Sequence, residues 1–215
     1  MEHQYAFCGE LQVKDLACWR NDQVLFERLN LSLSPGRVLF LQGENGSGKT
    51  SLLRILCGFR LADEGEILWN QHATSSQPEY YENISFVGHK NGIKDELTVE
   101  ENLNLMRSMA TGSDIKTDEV LKQIDLFKKS DVLSRLLSAG QKRKLALARL
   151  MMTNNSFWVL DEPFTSLDKA SVVFFESLIK KHIARGGMLI LTSHHDIDLS
   201  GLPVNHFSLS KSDYV

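Results

Sequence analysis

The chain has 215 residues, 42% of them hydrophobic and 24% charged, and a formal net charge of −3. Such a chain is globular, with one domain or one core plus a subdomain, and buries roughly 70% of its unfolded surface without a disulfide or metal staple. The slightly acidic balance excludes nucleic acid as the main partner, and no apolar run approaches the ~20 residues that span a bilayer.

At the start, "MEHQYAFCGE" has neither a basic lead nor an apolar signal core, so a soluble, untargeted chain is expected. If it works at a membrane, other subunits supply the spans. Cys8, Cys18 and Cys57 are odd in number and form no CxxC pair, which points to reduced thiols in a cytoplasm-like compartment. Cys57, on an apolar helix, reads as core filler.

"LQVKDLACW" and "LFERLNLSL" alternate partly with period two and predict strands joined by a polar loop at 20–23. Pro35 and Gly36 turn the chain into "RVLFL", a continuous apolar run of the kind a buried parallel strand needs. The helix "TSLLRILC" follows a glycine loop and stops at Gly58. "GEILWN" and "NISFVG" read as strands around a polar loop, "QHATSSQPEYYE". From Thr98 to about Asp131 the pattern turns helical, opened by a capping box of Thr98 and Glu101. "FWVLDE" is a buried strand ending in acids, a helix follows near 169–184 up to Gly186 and Gly187, and "MLILTSHH" and "HFSLS" are further strands. The order predicts an α/β fold around a mostly parallel sheet, with an antiparallel β edge and a helical insert near 95–135, all in one domain over 1–215.

Two stretches are built for anions. "GENGSGKT" matches G-x-x-x-x-G-K-[ST] between an apolar strand and an apolar helix, the context that gives this motif meaning. Gly43, Gly46 and Gly48 let the backbone wrap phosphates, Lys49 reaches the β- and γ-phosphates, and Thr50 can ligate Mg²⁺. In "FWVLDE", Asp161 stands at a strand's carboxyl end, where a second Mg²⁺ contact is wanted. Glu162, one step on, is the candidate base or water-orienting group. The other stretch, "LSAGQKRKLALARL", sends the small residues Ser138, Ala139 and Gly140 straight into a basic helix, whose open amides favour negative charge.

"GENGSGKT", "LSAGQ", "LDEP", "TSLD" and "LTSH", in this order and spacing, resemble the Walker A, signature, Walker B, D-loop and switch-histidine motifs of the ABC ATPase family. The resemblance covers nearly the whole chain. It implies a P-loop NTPase fold and an ATPase that uses ATP and Mg²⁺. It also implies a head-to-tail homodimer in which each ATP lies between one subunit's Walker A and the other's signature, so that "LSAGQ" receives the partner's phosphate.

By the same resemblance Glu44, Asn45, Ser47 and Ser51 join the nucleotide contacts, as do Ser138, Gly140 and Gln141 from across the interface. Asp168 lies on the D-loop, His194 holds the γ-phosphate end, and Trp19 stands where an aromatic stacks on adenine, although packing between early strands suits it too. Gln141 and the following "KRK" also read as residues that start and solvate a helix, and His195 and the remaining histidines as solvated or structural.

Two positions depart from the family pattern. Ala139 replaces a common glycine, which changes little. His89, in "FVGHKNG" ahead of "LTVEENL", stands where most of the family has a glutamine that links the metal and water site to the helical insert; an imidazole does similar work only while neutral. That histidine, the short length and "GHKNGIKDELTVEENL" resemble the cytochrome c maturation, or haem-export, subgroup. Membership there implies a peripheral subunit on the cytoplasmic face of a bacterial inner membrane, bound to small integral membrane subunits, where hydrolysis drives release of a haem-loaded chaperone. No CxxCH occurs and no direct haem binding is expected. The alternatives are the ATPase of another small exporter, a soluble regulatory ABC ATPase, and a binding module that does not hydrolyse; Lys49, Asp161, Glu162 and His194 argue against the last.

Overall fold

A computed structural model describes residue 5 and residues 9–20, 23–109 and 115–209. Cys8, most of the opening segment, and Asn21 and Asp22 of the expected polar loop lie outside the described residues. The chain starts with β1 (Leu11–Arg20) and β2 (Gln23–Leu33), an antiparallel pair, and then enters β3 (Val38–Gln42). The glycine loop leads into α1 (Lys49–Leu56), followed by β4 (Glu64–Trp69) and β5 (His72–Ala73).

The polar stretch 71–82 is not a plain loop, contrary to the pattern reading. After β5 it makes a 3₁₀ turn, Thr74–Ser76, and α2 (Pro78–Glu82). Pro78 starts the helix, where its missing N–H costs nothing. Tyr80 is buried, and its hydroxyl donates to the Leu56 carbonyl at 2.9 Å. Polar neighbours in sequence hid one anchoring aromatic.

Next come β6 (Ile84–Val87), α3 (Val99–Met109), α4 (Thr117–Gln123) and the 3₁₀ turns Phe127–Lys129 and Ser134–Leu136. The capping box forms: the Thr98 amide donates to Glu101 Oε2 at 2.8 Å, and the Glu101 amide to Thr98 Oγ1 at 3.1 Å. The chain continues through α5 (Ala139–Leu147), α6 (Arg149–Met152), β7 (Phe157–Asp161), α7 (Lys169–Ala184), β8 (Met188–Thr192) and β9 (Val204–Ser208).

Five strands form a parallel sheet in the order β6-β7-β8-β3-β9, and β2-β1-β4-β5 form a separate antiparallel sheet. Buried parallel strands carry apolar residues on both faces, and here alternation along each strand divides them between two clusters. Phe157 and Val159 of β7, with Met188 and Ile190 of β8, pack with α1 and the antiparallel sheet. Trp158, Leu160, Leu189 and Leu191 face the opposite cluster, shared with α3, α4, α5 and α7. The loops that leave β3, β7 and β8 at their carboxyl ends thus meet along one rim, where open α/β sheets bind ligands. Cys18 and Cys57 are free and buried, and burial pushes both thiols up.

Candidate active site

At that rim a cleft of about 650 Å³ is lined by Asn45, Gly46, Gly48, Lys49, Thr50 and Ser51, by Asp161 and Glu162, and by His89, Thr165, His194 and His195. Arg20 and Leu25, at the β1–β2 end, close its outer side. The glycine loop admits no side chain at its first position. A Cβ on Gly43, whose φ is 146°, would meet the Leu209 carbonyl at 2.5 Å and Ser47 Oγ at 2.7 Å. Lys49 is only 9% exposed, and its ammonium donates to the Gly43 and Glu44 carbonyls at 2.6 and 2.9 Å. The loop thus curls around its own cation and leaves its backbone facing the cleft.

Asp161, at the end of β7, is buried and accepts from Thr50 Oγ1 at 2.9 Å through Oδ2 and from Thr192 Oγ1 at 2.9 Å through Oδ1. Two hard oxygens, Thr50 Oγ1 and Asp161 Oδ2, therefore sit together at the floor. Among the described residues no cluster of three acids, histidines or cysteines could cage a metal. A pair of oxygens suits Mg²⁺, which keeps waters and takes phosphate oxygens for most of its shell.

Glu162 has a φ of 50°, a conformation that costs a non-glycine residue on the order of 1–3 kcal/mol unless neighbours fix it. Its amide donates to Thr192 Oγ1 at 3.0 Å, and its Oε2 accepts from the His194 amide at 3.0 Å. Oε1 is buried with no hydrogen-bond partner among the described residues, and the His194 Nε2 lies 3.6 Å from it. His194 Nε2 is also 3.0 Å from Asn45 Oδ1. Glu162 thus brings to the lining of the cleft a carboxylate with one oxygen held by the His194 amide and the other left to accept.

The other anion-binding stretch lies apart. None of Ser138, Gly140, Gln141 or Asp168 lines the cleft. Ser138 caps α5, with the Gln141 amide donating to its hydroxyl at 3.3 Å and its own amide donating to Gln141 Oε1 at 3.1 Å. A Cβ on Gly140 would come within 2.5 Å of the Ser166 carbonyl, so the head of α5 packs directly on the turn before α7. Asp168 caps α7; hydrogen bonds from the Ser171 amide and hydroxyl, then Lys144, hold its carboxyl below the usual range. Trp19 does not line the cleft: its amide donates to Asp63 Oδ2 at 2.8 Å and its carbonyl accepts from Arg60.

The reading of 142–144 as a solvating run needs correction. Lys142 pairs with Asp95 and Lys144 with Asp168, but Arg143 is 3% exposed and donates into the chain segments around Glu162 and His89. Burial lowers its pKa to about 10, partly offset by Asp161 and Glu162, which leaves it charged at neutral pH. Charge in a basic run looks solvated in sequence; only the helix's packed face distinguishes the middle residue. Thr192 also escaped the reading, although it ends an apolar strand two residues before His194.

A glycine loop at the carboxyl end of a parallel strand, with a paired threonine and aspartate and a carboxylate beside them, defines a P-loop nucleoside triphosphatase. The family model described as ABC transporter matches residues 26–165. The chain belongs to the ABC transporter family, as an ATPase domain. It is 42% identical over 204 residues to "Cytochrome c biogenesis ATP-binding export protein CcmA" of Nitrosomonas europaea, covering 93% of this chain and 95% of the relative. The protein of the same name in Aliivibrio fischeri is 41% identical over 87% of this chain and 93% of its own length. A putative ABC transporter ATP-binding protein from Pyrococcus furiosus superposes with a TM-score of 0.76 at 25% identity, over 93% of this chain and 97% of that one. A dimeric ATP-binding cassette in a post-hydrolysis state with ADP and Pi has the same fold, with a TM-score of 0.73 at 22% identity, over 86% of this chain and 88% of that one.

Proposed function

We propose that this chain is the ATP-hydrolysing subunit of a membrane export complex serving cytochrome c biogenesis, working as an ATP-sandwich homodimer. The observation that carries the dimer is the separation of the half-sites: the cleft holds the glycine loop and the acids, while the capped head of α5 lies outside it. One chain offers both halves of a phosphate site but does not join them. A two-fold pair joins them twice. The names of the relatives support the cytochrome c assignment. In this reading small integral membrane subunits supply the spans and the chain sits on the cytoplasmic face of the inner membrane; among the described residues no helix is long and apolar enough to cross a membrane. The chain itself does not bind haem; its work is release of a haem-loaded chaperone.

In this reading Lys49 moves from the Gly43 and Glu44 carbonyls to the β- and γ-phosphates of ATP, with the amides of residues 43–51 completing the cradle. Thr50 and Asp161 would hold Mg²⁺, with His89 at the edge of that site, and a bound ion there would supply neutralisation of developing phosphate charge. Glu162 Oε1 accepts from the attacking water, and His194, steadied by Asn45 and Glu162, orients the γ-phosphate end. Ser138, Gly140 and Gln141, with Asp168 beside them, receive the partner's nucleotide, and Trp19, next in sequence to cleft-lining Arg20, is the aromatic proposed for the adenine.

Lys49→Ala should abolish ATP binding, whereas Glu162→Gln should bind ATP, lose roughly 10²-fold in turnover and accumulate as an ATP-bound dimer by light scattering. In a strain lacking the chain, native protein and not Glu162→Gln should restore haem staining of c-type cytochromes. Normal c-type cytochromes in that strain would point to another small exporter.

A further inference from the structure

Arg143 lies in the middle of α5, buried to 3% exposure, and among the described residues it makes no ion pair with a carboxylate. Burying a guanidinium is costly, and an apolar side chain of similar volume often serves stability as well. Stability alone therefore gives a poor account of it. A guanidinium carries five N–H donors, and the five acceptors around Arg143 match them. Nε donates to the Pro163 carbonyl at 2.7 Å. Nη1 donates to the Gly88 carbonyl at 2.8 Å and to Asn91 Oδ1 at 3.2 Å. Nη2 donates to the Asp161 carbonyl at 3.2 Å and the Glu162 carbonyl at 2.7 Å.

These acceptors belong to two segments. Residues 161–163 carry Asp161 and Glu162, and residues 88–91 carry His89; all three side chains line the cleft. Four of the five acceptors are main-chain carbonyls, so the guanidinium fixes the path of the backbone whatever the side chains do. The path most in need of fixing is at Glu162, with its φ of 50°. Thr192 holds the Glu162 amide, and Arg143 holds the carbonyl of the same residue. Arg149 grips the second segment from its other side, donating to the Phe86 and Asn91 carbonyls at 3.0 and 3.1 Å.

We infer that Arg143 is a positioning residue for hydrolysis: it locks α5 to the backbone beneath Glu162 and to the loop bearing His89, so that the signature helix and the acid move as one body. The inference rests on the reading of Glu162 as the group that activates water. It has a consequence for the dimer. The helix that seats the partner's phosphate on Ser138 and Gly140 also sets the acid of the chain's own site, so closure at one nucleotide bears on chemistry at the other.

The test uses the full chain under conditions where ATP drives dimer formation. Arg143→Lys keeps the charge and much of the stem but has three donors on a compact head, too few for five acceptors spread across a plane. Arg143→Gln removes the charge. Nucleotide affinity, kcat, KM and melting temperature are measured for both variants, alone and combined with E162Q. Both should melt cooperatively and bind ATP as the native chain does, with kcat lowered about 10- to 100-fold, the scale of a misplaced catalytic group. In the E162Q background R143K should add nothing further to the loss, because it acts through Glu162. A native kcat for R143K beside a crippled E162Q overturns the inference alone, as does a full additional loss in the double variant. A native rate for E162Q removes the assignment of Glu162 and the inference with it. Failure of both Arg143 variants to fold makes the residue a structural one and also overturns it.

Discussion

Replacing Gly140 by alanine strikes first at the half-site offered to the partner, since Gly140 itself does not line the chain's own cleft. The added Cβ would stand 2.5 Å from the Ser166 carbonyl oxygen. Carbon–oxygen contacts settle near 3.3 Å, so helix or turn must give by about 0.8 Å. Ser166 has a φ of 66°, a conformation with little room to adapt. Overpacking of this kind costs about 1–3 kcal/mol, while alanine improves the helix by up to ~1 kcal/mol over glycine. The net destabilisation is therefore about 0–3 kcal/mol, a fall of up to about 12 °C in melting temperature for a chain of this size. Turnover should fall much further, by about 10²-fold, because a shift approaching 1 Å misplaces the phosphate seat. Binding of a fluorescent ATP analogue to the monomer should stay native, since Gly140 does not line the cleft. The assay pairs that titration with ATPase turnover and ATP-dependent dimer formation. Native turnover in Gly140→Ala would refute the seat, and lost nucleotide binding by the monomer would refute the separation of the two half-sites.

The composite site makes a second prediction. Ser138→Arg spoils the seat for the partner's phosphate and Lys49→Ala spoils the chain's own cleft, so a mixed dimer carries one site with both defects and one with none. Random pairing of equal amounts should restore about a quarter of native turnover, provided the sites fire independently, and full activity of Ser138→Arg alone would remove the signature from the mechanism. A third prediction concerns acid stability. His182 is buried, stacked on Trp158 at 3.8 Å between ring centres, with its Nδ1 2.7 Å from the Tyr5 hydroxyl and its Nε2 3.1 Å from the Met188 carbonyl. Burial first, then Arg185, lowers its pKa to about 3 against the backbone hydrogen bonds that favour charge. The unfolded chain binds this proton from about pH 6.5 downward and the folded chain does not, so stability is lost as pH falls from about 6.5 towards 3, by about 1.4 kcal/mol per unit at full slope. Melting curves of His182→Gln should flatten across that window relative to the native chain; parallel curves would contradict the assignment.

The phosphate loop was legible in the chain because its chemistry is contiguous. Three glycines, the lysine and the threonine lie within eight positions of one another, and an apolar strand and helix on either side leave a single way to fold them. The same holds for "FWVLDE", where four buried residues force the acids to the strand's end, and for the capping box of Thr98 and Glu101. Local patterns of this kind are decided by backbone geometry over a few residues. Trp19 and the stretch 71–82 were less legible: an aromatic beside a polar turn can face a ligand or a strand, and Tyr80 could be seen as core only once Leu56, 24 positions earlier, lay against it. Arg143 is the extreme case. Its partners stand 18 to 55 positions away, nearly all of them carbonyls that every residue possesses, so no pattern of residue types could announce them. Tertiary structure decided which of three neighbouring basic residues was buried, because only the packing of α5 against the carboxyl end of the sheet brings five acceptors within reach of one guanidinium.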